Sequence, residues 1–497
     1  MLFNSFSFLL FFPIVTAAYF MLPARFRWMM LLIASSIFYM FFVPEYILIL
    51  AATIVIDYFA GILIERENEQ KRKRKWLIAS IVANISVLFV FKYFNFFALN
   101  FNELASDIGW NYGIPSLKII LPIGLSFHTF QAMSYTIEVY RGKQKAERHF
   151  GIYSLYVMYY PQLVAGPIER PQNLLWQFHA AHRFDYQRVT DGLKLMAWGL
   201  FKKVIIADRI SSLINPVYEN PAAYDGISLL VAAILFSFQI FCDFSGYSDI
   251  AIGSSQVMGI RLMKNFDRPY FSKSIAEFWK RWHISLSSWF KDYLYISIGG
   301  NRKGIFRTFL NIFITFLISG LWHGASWPFV IWGGLHGFYM IVGLLTVKLR
   351  LRIRNLLRIS KHIVLNNILQ AGTTFMLVTF AWIFFRAETT DKAFYMISKM
   401  VADTGHFLKA VISHQDLSSH KVLLLDSANN MHFNLGVILC AIVLMEIVHY
   451  QQRTKQIRSW IMGKPLPLRW FSYLLLFWLI VLFGVYHSKN EFIYFQF

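Results

Sequence analysis

One histidine lies in the polar break between two long apolar stretches of the chain. His323 directly follows Trp322, within residues 319–327, and Gly320 and Gly324 flank it. Glycine lets other groups approach the backbone closely, and imidazole titrates near neutral pH, as suits a general acid or base. The pattern favours a catalytic histidine, and a hydrogen-bonded structural histidine is the alternative.

A second polar segment, residues 278–290, places aromatic rings next to cations and another histidine. Its side chains include Trp279, Lys280, Arg281, Trp282 and His283. Indole rings beside cations are typical of a helix at the membrane interface. The same groups would also stack on an adenine ring and neutralise the phosphates of a nucleotide or of phosphopantetheine. The segment alone leaves both interpretations open.

Two shorter segments are further candidates for contact with a charged substrate. Asp243 and Ser245 end an apolar stretch, where they either line a cavity at a break in a helix or cap a helix terminus at the interface. Asn301 and Arg302 follow two glycines, which is typical of a loop that contacts phosphate. A charge near the bilayer centre costs at least about 2.5–3.5 kcal/mol, so polar groups among apolar residues are functional candidates.

The histidines do not predict a metal site. His283, His323 and His336 lack the spacing of ligands that share a helix face, and His179 and His182, which have it, lie in a segment rich in Gln and Arg. The sequence contains neither a Gly-x-Ser-x-Gly nucleophile elbow nor a P-loop. We therefore expect no catalytic metal, no covalent serine catalysis and no ATP-driven pumping.

The composition shows what kind of element must position these groups. The 497 residues are 57% hydrophobic and only 15% charged, whereas a soluble protein carries about 25% charged residues. The two cysteines exclude a disulfide framework. The net charge of +21 arises from basic residues that lie between apolar stretches, where they act as topology signals and contact anionic lipids. The sequence therefore predicts an integral membrane protein with membrane lipids, and not nucleic acid, as its partners.

Apolar stretches of about 20 residues predict membrane-spanning helices. We expect an all-α polytopic bundle of about 11–13 transmembrane and re-entrant helices, and a single membrane domain over residues 1–497. The predicted spans are 4–22, 28–43, 45–63, 76–98, 118–137, 192–207, 227–243, 308–322, 327–346, 370–385, 434–449 and 470–487.

Loop charges predict the orientation of these spans. The connections around residues 25–27, 66–75, 141–148, 348–361 and 453–464 are basic, and the alternate connections are acidic or neutral. Basic loops lie on the cytoplasmic side, so both termini are predicted to be extracytoplasmic. The longest polar interval, residues 386–433, is then an outward loop, and it contains a predicted amphipathic helix near residues 393–400.

Taken in order, these motifs resemble those of the membrane-bound O-acyltransferase family, in the branch of the alginate O-acetyltransferase membrane component. The resemblance is densest over residues 118–340, and the 386–433 loop is the part where members of the branch vary most. The matching stretches are 121–130, 160–170, 243–249, 277–286, 299–302, 320–324 and 492–497.

The resemblance implies a funnel through the helix bundle, with the catalytic histidine at His323 and a supporting one at His283. It also implies transfer of an acetyl group from a cytoplasmic thioester, either acetyl-CoA or an acylated carrier protein, with no tightly bound cofactor. The acceptor would be a hydroxyl of an extracytoplasmic polysaccharide, reached with the help of an SGNH-type serine acyltransferase. The chain would lie in the inner, or plasma, membrane.

Other polar and aromatic residues near these motifs are expected to hold the donor. They are Asp243, Ser245, Trp279, Lys280, Arg281, Trp282, Asn301, Arg302 and Trp322. A proton-coupled transporter, in which His323 and the aspartates relay protons, is the alternative, although the sequence lacks the two related halves that are usual in such proteins. A scaffold of a polysaccharide-export complex is a third interpretation.

Overall fold

The computed structural model describes residues 1–110, 112–119, 121–164, 166–412, 431–486 and 492–493. These residues are largely helical and contain no β-strand, which confirms the all-α prediction. The helices as far as residue 258 are α1 Phe6–Met21, α2 Ala24–Met40, α3 Ile47–Arg66, α4 Gln70–Leu88, α5 Phe94–Asp107, α6 Leu125–Tyr140, α7 Phe150–Met158, α8 Tyr160–Leu163, α9 Pro171–His179, α10 Tyr186–Leu200, α11 Asp208–Glu219 and α12 Gly226–Met258.

The second half of the chain begins with short helices and continues with long ones. They are α13 Ile275–Arg281, α14 Ile284–Trp289, α15 Gly304–His323, α16 Trp327–Leu345, α17 Val347–Leu356, α18 Ile363–Arg386, α19 Thr390–Ile412, α20 Met431–Gln451, α21 Ile457–Met462 and α22 Leu466–Phe483. The amphipathic helix predicted near residues 393–400 lies within α19. The rest of the predicted outward loop, residues 413–430, lies outside the described residues.

Within the described residues, eight helical segments are long and apolar enough to cross a membrane, so the chain is a multi-pass membrane protein. They are Pro44–Arg66, Gln70–Asp107, Gly226–Met258, Gly304–His323, Trp327–Leu345, Ile363–Arg386, Phe433–Gln451 and Leu466–Phe483. Two further predicted spans correspond to α1 and α2, which have 16 and 17 residues and are short of the roughly 20 that a perpendicular crossing needs.

One predicted span differs from the structure at its beginning. The apolar run from residue 118 predicts a helix there, but residues 112–119 and 121–124 are not helical and α6 starts at Leu125. Pro122 lacks a backbone donor, and Gly124 precedes the helix with a φ of 79°, a conformation that favours glycine. A hydropathy average contains no information on the missing donor of Pro122 or on the backbone conformation of Gly124.

The chain divides into two compact units. Unit 1 comprises Met1–Met196 and Tyr247–Lys264, and unit 2 comprises Ala197–Gly246 and Asn265–Phe497. The single membrane domain over residues 1–497 stays a prediction. All of the residues predicted to bind the donor or to act in catalysis belong to unit 2.

Unit 1 contains a buried polar network among α3, α4 and α6. The Asp57 carboxylate accepts hydrogen bonds from Ser80 Oγ at 2.6 Å and from Asn84 Nδ2 at 2.9 Å. Ser80 Oγ also lies 3.1 Å from Thr136 Oγ1. Because a polar group in an apolar interior is costly unless it is hydrogen-bonded, this network ties the three helices together in one arrangement.

In unit 2, α15 and α16 form a hairpin in which the two backbones touch. A Cβ at Gly320 would lie 2.2 Å from the Phe329 carbonyl oxygen, and one at Gly333 would lie 2.3 Å from the Phe316 carbonyl oxygen. Small residues at such a crossing let membrane helices approach closely. The contact is three residues from His323 and therefore sets the position of that side chain.

We expect Gly333→Ala to lower the melting temperature of the purified protein, because the added methyl group must push α15 and α16 apart. Overpacking of this kind costs about 1–3 kcal/mol. Gly334→Ala is the matched control, since a Cβ at Gly334 meets its nearest neighbour at 3.6 Å, which is ordinary contact. Equal melting temperatures for the two variants in the same detergent would contradict this account of the hairpin.

Candidate active site

His323 is the last residue of α15 and lies in a sharply turned connection to α16. A Cβ at Gly324 would lie 2.1 Å from the Phe329 ring, so the turn after His323 requires glycine. The imidazole is surrounded by aromatic rings, with centroids 4.9 Å from Trp322, 4.9 Å from Trp332 and 5.3 Å from Phe385. The residue retains 4% of its accessible surface. The sequence thus folds into a narrow aromatic enclosure around one titratable group.

His283 lies between α13 and α14 in a strained backbone conformation. Its φ of 44° falls in the left-handed region, which residues other than glycine rarely adopt. The side chain is completely buried, and its Nδ1 lies 3.0 Å from Asn265 Oδ1. Burial lowers the pKa of His283 to about 3. The imidazole is therefore neutral near pH 7, with Nδ1 as the donor to the amide oxygen and Nε2 as an acceptor.

Asn265 holds this histidine in place through several bonds. Besides its contact with His283, Asn265 Oδ1 accepts a hydrogen bond from Ser285 Oγ at 2.9 Å, and its backbone carbonyl accepts one from the Ile284 N–H at 2.9 Å. A second polar group that fixes the tautomer and direction of an imidazole is a common feature of functional histidines. Nothing in the local sequence around Asn265 indicates this role, and the sequence analysis missed it.

The two predicted catalytic histidines meet at one indole ring. The Trp322 ring lies 4.9 Å from that of His323 and 6.3 Å from that of His283. Phe244 also contacts His283, and the centroids of these two rings are 4.6 Å apart. Tertiary packing therefore brings together two histidines that are far apart in the sequence. Trp322, predicted to contact the donor, is the side chain that connects them.

The other tryptophans of this region are core residues. Trp282 is buried and packs against Trp382, at a centroid distance of 5.1 Å. Trp279 donates a hydrogen bond from Nε1 to Nδ1 of His336 at 3.2 Å. The prediction that residues 278–290 form an interfacial helix is wrong, because they form short helices whose indoles are buried. His336, which the sequence presents only as a candidate metal ligand, is a buried residue of the apolar helix α16, and the apolar residues around it are the signal for this position.

Asp243 takes part in a buried ion cluster. Lys203 Nζ lies 2.7 Å from Asp243 Oδ1 and 2.8 Å from Asp208 Oδ1, and the Ile493 N–H donates to Asp243 Oδ2 at 2.8 Å. Ser245 Oγ accepts a hydrogen bond from Lys202 Nζ at 2.9 Å. Both lysines lie within the predicted span 192–207, where charges in an apolar run are the signal that the sequence analysis did not use.

The break predicted near Asp243 does not exist, because α12 continues from Gly226 to Met258. Gly246 does not interrupt the helix. It allows close packing, since a Cβ at this position would lie 2.7 Å from the Gly199 carbonyl oxygen. Both interpretations of the Asp243 segment as a helix end or a cavity-lining loop are therefore wrong.

The predicted phosphate-binding residues lie at the surface of unit 2. Lys280 is exposed, and Arg281 forms an ion pair with Glu277 at 2.7 Å. Asn301 and Arg302 are exposed in a turn that contains three glycines with positive φ. Asn311 Nδ2 fastens this turn to α15 by donating to the Gly300 carbonyl at 2.8 Å. Lys280, Asn301 and Arg302 are exposed, whereas His283 and His323 are buried. The role of these surface residues in holding the donor stays a prediction.

Comparison with known proteins places this site in a family. The profile of the membrane-bound O-acyltransferase family matches residues 148–386, a range that contains both histidines. A probable alginate O-acetylase of Pseudomonas aeruginosa is 39% identical over 405 residues, which are 80% of this chain and 75% of the relative. A peptidoglycan O-acetyltransferase of Helicobacter pylori is 35% identical over 437 residues, 82% of this chain and 80% of the relative.

The chain belongs to the membrane-bound O-acyltransferase family. It is therefore an acyltransferase, and family membership decides against the transporter and scaffold interpretations. A more distant similarity is to a teichoic acid D-alanyltransferase of Streptococcus thermophilus, which is 28% identical over 268 residues, 48% of this chain and 64% of the relative. Because the family profile covers both histidines, the enclosure of His323 and His283 is the candidate for the acyl-transfer site.

We expect Lys203→Met to destabilise the acyltransferase severely, because Asp208 and Asp243 would be left buried without their cation. Breaking a buried ion pair by removing one partner costs about 3–5 kcal/mol. Lys392→Met, which removes a surface pair with Glu388 at 2.6 Å, is the control and should change little. Melting temperature and the monodisperse yield on size exclusion measure both effects. A Lys203→Met protein as stable as the control variant would show that the ion cluster does not hold unit 2 together.

Proposed function

We propose that the protein transfers an acetyl group from a cytoplasmic thioester to hydroxyls of an extracytoplasmic polysaccharide. The observation that carries the proposal is the pair His323 and His283, joined through Trp322 inside a membrane-embedded unit. Two relatives that match about four fifths of the chain are named for O-acetylation, one of alginate and one of peptidoglycan. The D-alanyltransferase relative also acylates a polymer of the cell envelope by its name. Transfer of a short acyl group to a polymer is what these names share.

In the proposed reaction, His323 is the general base. It takes the proton of an acceptor hydroxyl as that oxygen attacks the carbonyl carbon of the thioester. The tetrahedral intermediate collapses with cleavage of the carbon–sulfur bond, the ester forms, and the leaving thiolate takes the proton from the imidazolium. Proton transfer by a positioned side chain typically contributes about 10²–10⁴-fold to the rate. The aromatic rings around His323 exclude bulk water, which strengthens the electrostatic interactions within the site.

His283 has the complementary properties of an orienting group. Its Nδ1–H is held by Asn265, and its low pKa keeps it neutral, so Nε2 can accept a hydrogen bond from a second hydroxyl or N–H group of the acceptor. A neutral imidazole bound to this second group orients the acceptor without competing with His323 for the proton of the reacting hydroxyl. This assigns the two histidines different tasks, general base for His323 and orientation for His283.

The donor is proposed to approach from the cytoplasmic side. The positive-inside rule supports a cytoplasmic position for the basic connections and, with it, extracytoplasmic termini; the inner, or plasma, membrane is the proposed location of the chain. The exposed Lys280, Arg302 and Lys303 offer charge-assisted hydrogen bonds to the phosphates of acetyl-CoA or to the phosphopantetheine of a carrier protein. The thiol carrier then stays on the cytoplasmic side and the acetyl group leaves the site as an ester of the acceptor hydroxyl, from which an SGNH-type serine acyltransferase passes it to the polymer.

We expect His323→Ala to reduce acetyl transfer by about 10²–10⁴-fold while leaving the fold intact, because only the proton acceptor is removed. Purified protein in nanodiscs would be given acetyl-CoA and, in parallel, an acetylated carrier protein, and the release of free thiol would be followed with and without a soluble glycan acceptor. His362→Ala, at an exposed histidine, is the control. A rate for His323→Ala near that of the control would refute the general-base role.

We expect His283→Ala to slow turnover by a smaller factor and to leave donor binding unchanged, because His283 is proposed to orient the acceptor. Isothermal titration with a non-hydrolysable acetyl-CoA analogue measures donor affinity separately from the rate. Loss of donor binding in His283→Ala, with the melting temperature preserved, would move this histidine from the acceptor side of the site to the donor side.

A further inference from the structure

A cavity of about 680 Å³ opens in unit 2, and neither His283 nor His323 lines it. Its walls come from α16, α17, the first half of α18 and the segment 273–276, and none of the predicted site residues lines it. Most of its surface is apolar, with Phe338, Leu344 and Leu377 among the lining side chains. A cavity of this kind in a membrane protein suits a ligand with a hydrocarbon portion.

The length of the cavity matches one leaflet of a bilayer. Along α18 the lining residues run from Asn366 to Leu377 on one helix face, a rise of about 16 Å at roughly 1.5 Å per residue. The hydrocarbon core of a bilayer is about 30 Å thick, so half of it is about 15 Å. Among the lining residues of α18, the amides Asn366 and Gln370 lie nearest the start of the helix, the hydroxyls Thr373 and Thr374 follow, and Leu377 comes last. The hydrogen-bonding capacity of this wall therefore decreases along the helix from amide to hydroxyl to hydrocarbon, in the same order as along a phospholipid.

Three cations line the polar end of the cavity. They are Lys273, Arg350 and Arg354. Arg350 donates to the Gly343 carbonyl at 2.5 Å and Arg354 to Asn366 Oδ1 at 3.5 Å. No carboxylate in the described part of the chain forms an ion pair with any of the three. The Glu277 carboxylate accepts a hydrogen bond from the Lys273 backbone N–H at 2.8 Å, whereas the adjoining segment 346–362, which carries Arg350 and Arg354, has six basic residues and no acidic one.

We propose that this cavity binds one phospholipid with a negatively charged headgroup from the cytoplasmic leaflet. The headgroup phosphate lies among Lys273, Arg350 and Arg354, and an acyl chain follows α18 toward Leu377. Basic pockets between membrane helices on the cytoplasmic side are the setting in which anionic lipids are recognised. The inference concerns a site outside the acyl-transfer centre and does not depend on the identity of the donor or the acceptor.

The bound lipid would touch elements that lead to the histidines. Tyr339 lines the cavity, and its ring lies 5.9 Å from that of His336, which accepts the hydrogen bond from Trp279. Ser274, another lining residue, caps α13 by accepting from the Glu277 N–H at 3.1 Å. Occupancy of the cavity therefore stabilises the start of the helix that ends just before His283.

The first test removes the cations and measures lipid affinity. Delipidated protein in detergent would be titrated with phosphatidylglycerol or phosphatidylcholine and the bound lipids counted by native mass spectrometry. We expect Arg350→Ala/Arg354→Ala to weaken phosphatidylglycerol binding roughly 30-fold, since each cation near a lipid surface contributes about 1 kcal/mol and about 1.4 kcal/mol is tenfold in affinity.

The control for this test removes two cations of the same helix that do not line the cavity. Lys348 and Arg352 are exposed on α17, and Lys348→Ala/Arg352→Ala should change the affinity less than threefold. Equal losses in the two double variants would mean diffuse attraction and no site. Equal affinity of the unmodified protein for the neutral lipid would overturn the headgroup assignment.

The second test fills the cavity and keeps every charge. Gly343 lines it, and a Cβ there meets no heavy atom within 4 Å, so Gly343→Phe should fold and occupy the space of the lipid. Gly372→Phe is the matched control, because Gly372 is also a helical glycine with open space around its Cβ and does not line the cavity. We expect phosphatidylglycerol binding to be lost only in Gly343→Phe, at an unchanged melting temperature in lipid-free detergent. Retained binding in Gly343→Phe would place the lipid elsewhere and refute the proposal.

Discussion

The contact on which this structure most depends is the close approach of two helix backbones at Gly320 and Gly333. In a bilayer the lipid is as apolar as the side chains, so helices associate through tight packing and polar contacts. The hairpin of α15 and α16 satisfies that requirement with glycines that put carbonyl oxygens where side chains would otherwise stand. The turn that joins the helices then holds His323 between the rings of Trp322 and Trp332. The placement of the candidate base thus follows from this backbone contact and from the aromatic rings around the imidazole.

Unit 2 contains cations in two opposite environments, one in which carboxylates neutralise the charge and one in which they do not. Lys203 is buried and faces two carboxylates, so it stabilises the interior only as part of a complete cluster. Arg350 and Arg354 contact only backbone carbonyl and amide oxygens in the described chain, and they remain available to an anion from outside the protein. A cation that the fold neutralises is a structural element, whereas a cation beside an apolar cavity that the fold leaves uncompensated is a binding element. The membrane makes this distinction sharp, because uncompensated charge is tolerated only near the headgroups.

The features that could be predicted from the sequence are those with a local signal. Apolar runs correctly indicated α3, α15, α16 and α18, and the glycine-flanked His323 was evident as a candidate because polar groups are rare in such runs. Asn265 was missed because an asparagine in a connecting segment has no pattern that links it to His283; only packing does. The helical continuity of α12 through Asp243 was also missed, since Gly246 and its neighbouring serines have the composition of a break. Gly246 is required by a close tertiary contact with the Gly199 backbone. No local stretch of sequence reveals a contact between residues so far apart in the chain.

The backbone at His283 adds a further physical argument for its importance. A residue other than glycine in the left-handed region carries a cost of order 1–3 kcal/mol and persists only where its surroundings determine it strongly. Here Asn265 supplies that constraint through its side chain to His283 and through its carbonyl to the next residue. The left-handed backbone and the bonds from Asn265 together fix the neutral imidazole with its ring 6.3 Å from that of Trp322, and the Trp322 ring in turn lies 4.9 Å from that of His323. A costly backbone conformation that is kept at the residue where the two histidines approach each other supports the proposal that both belong to one transfer site.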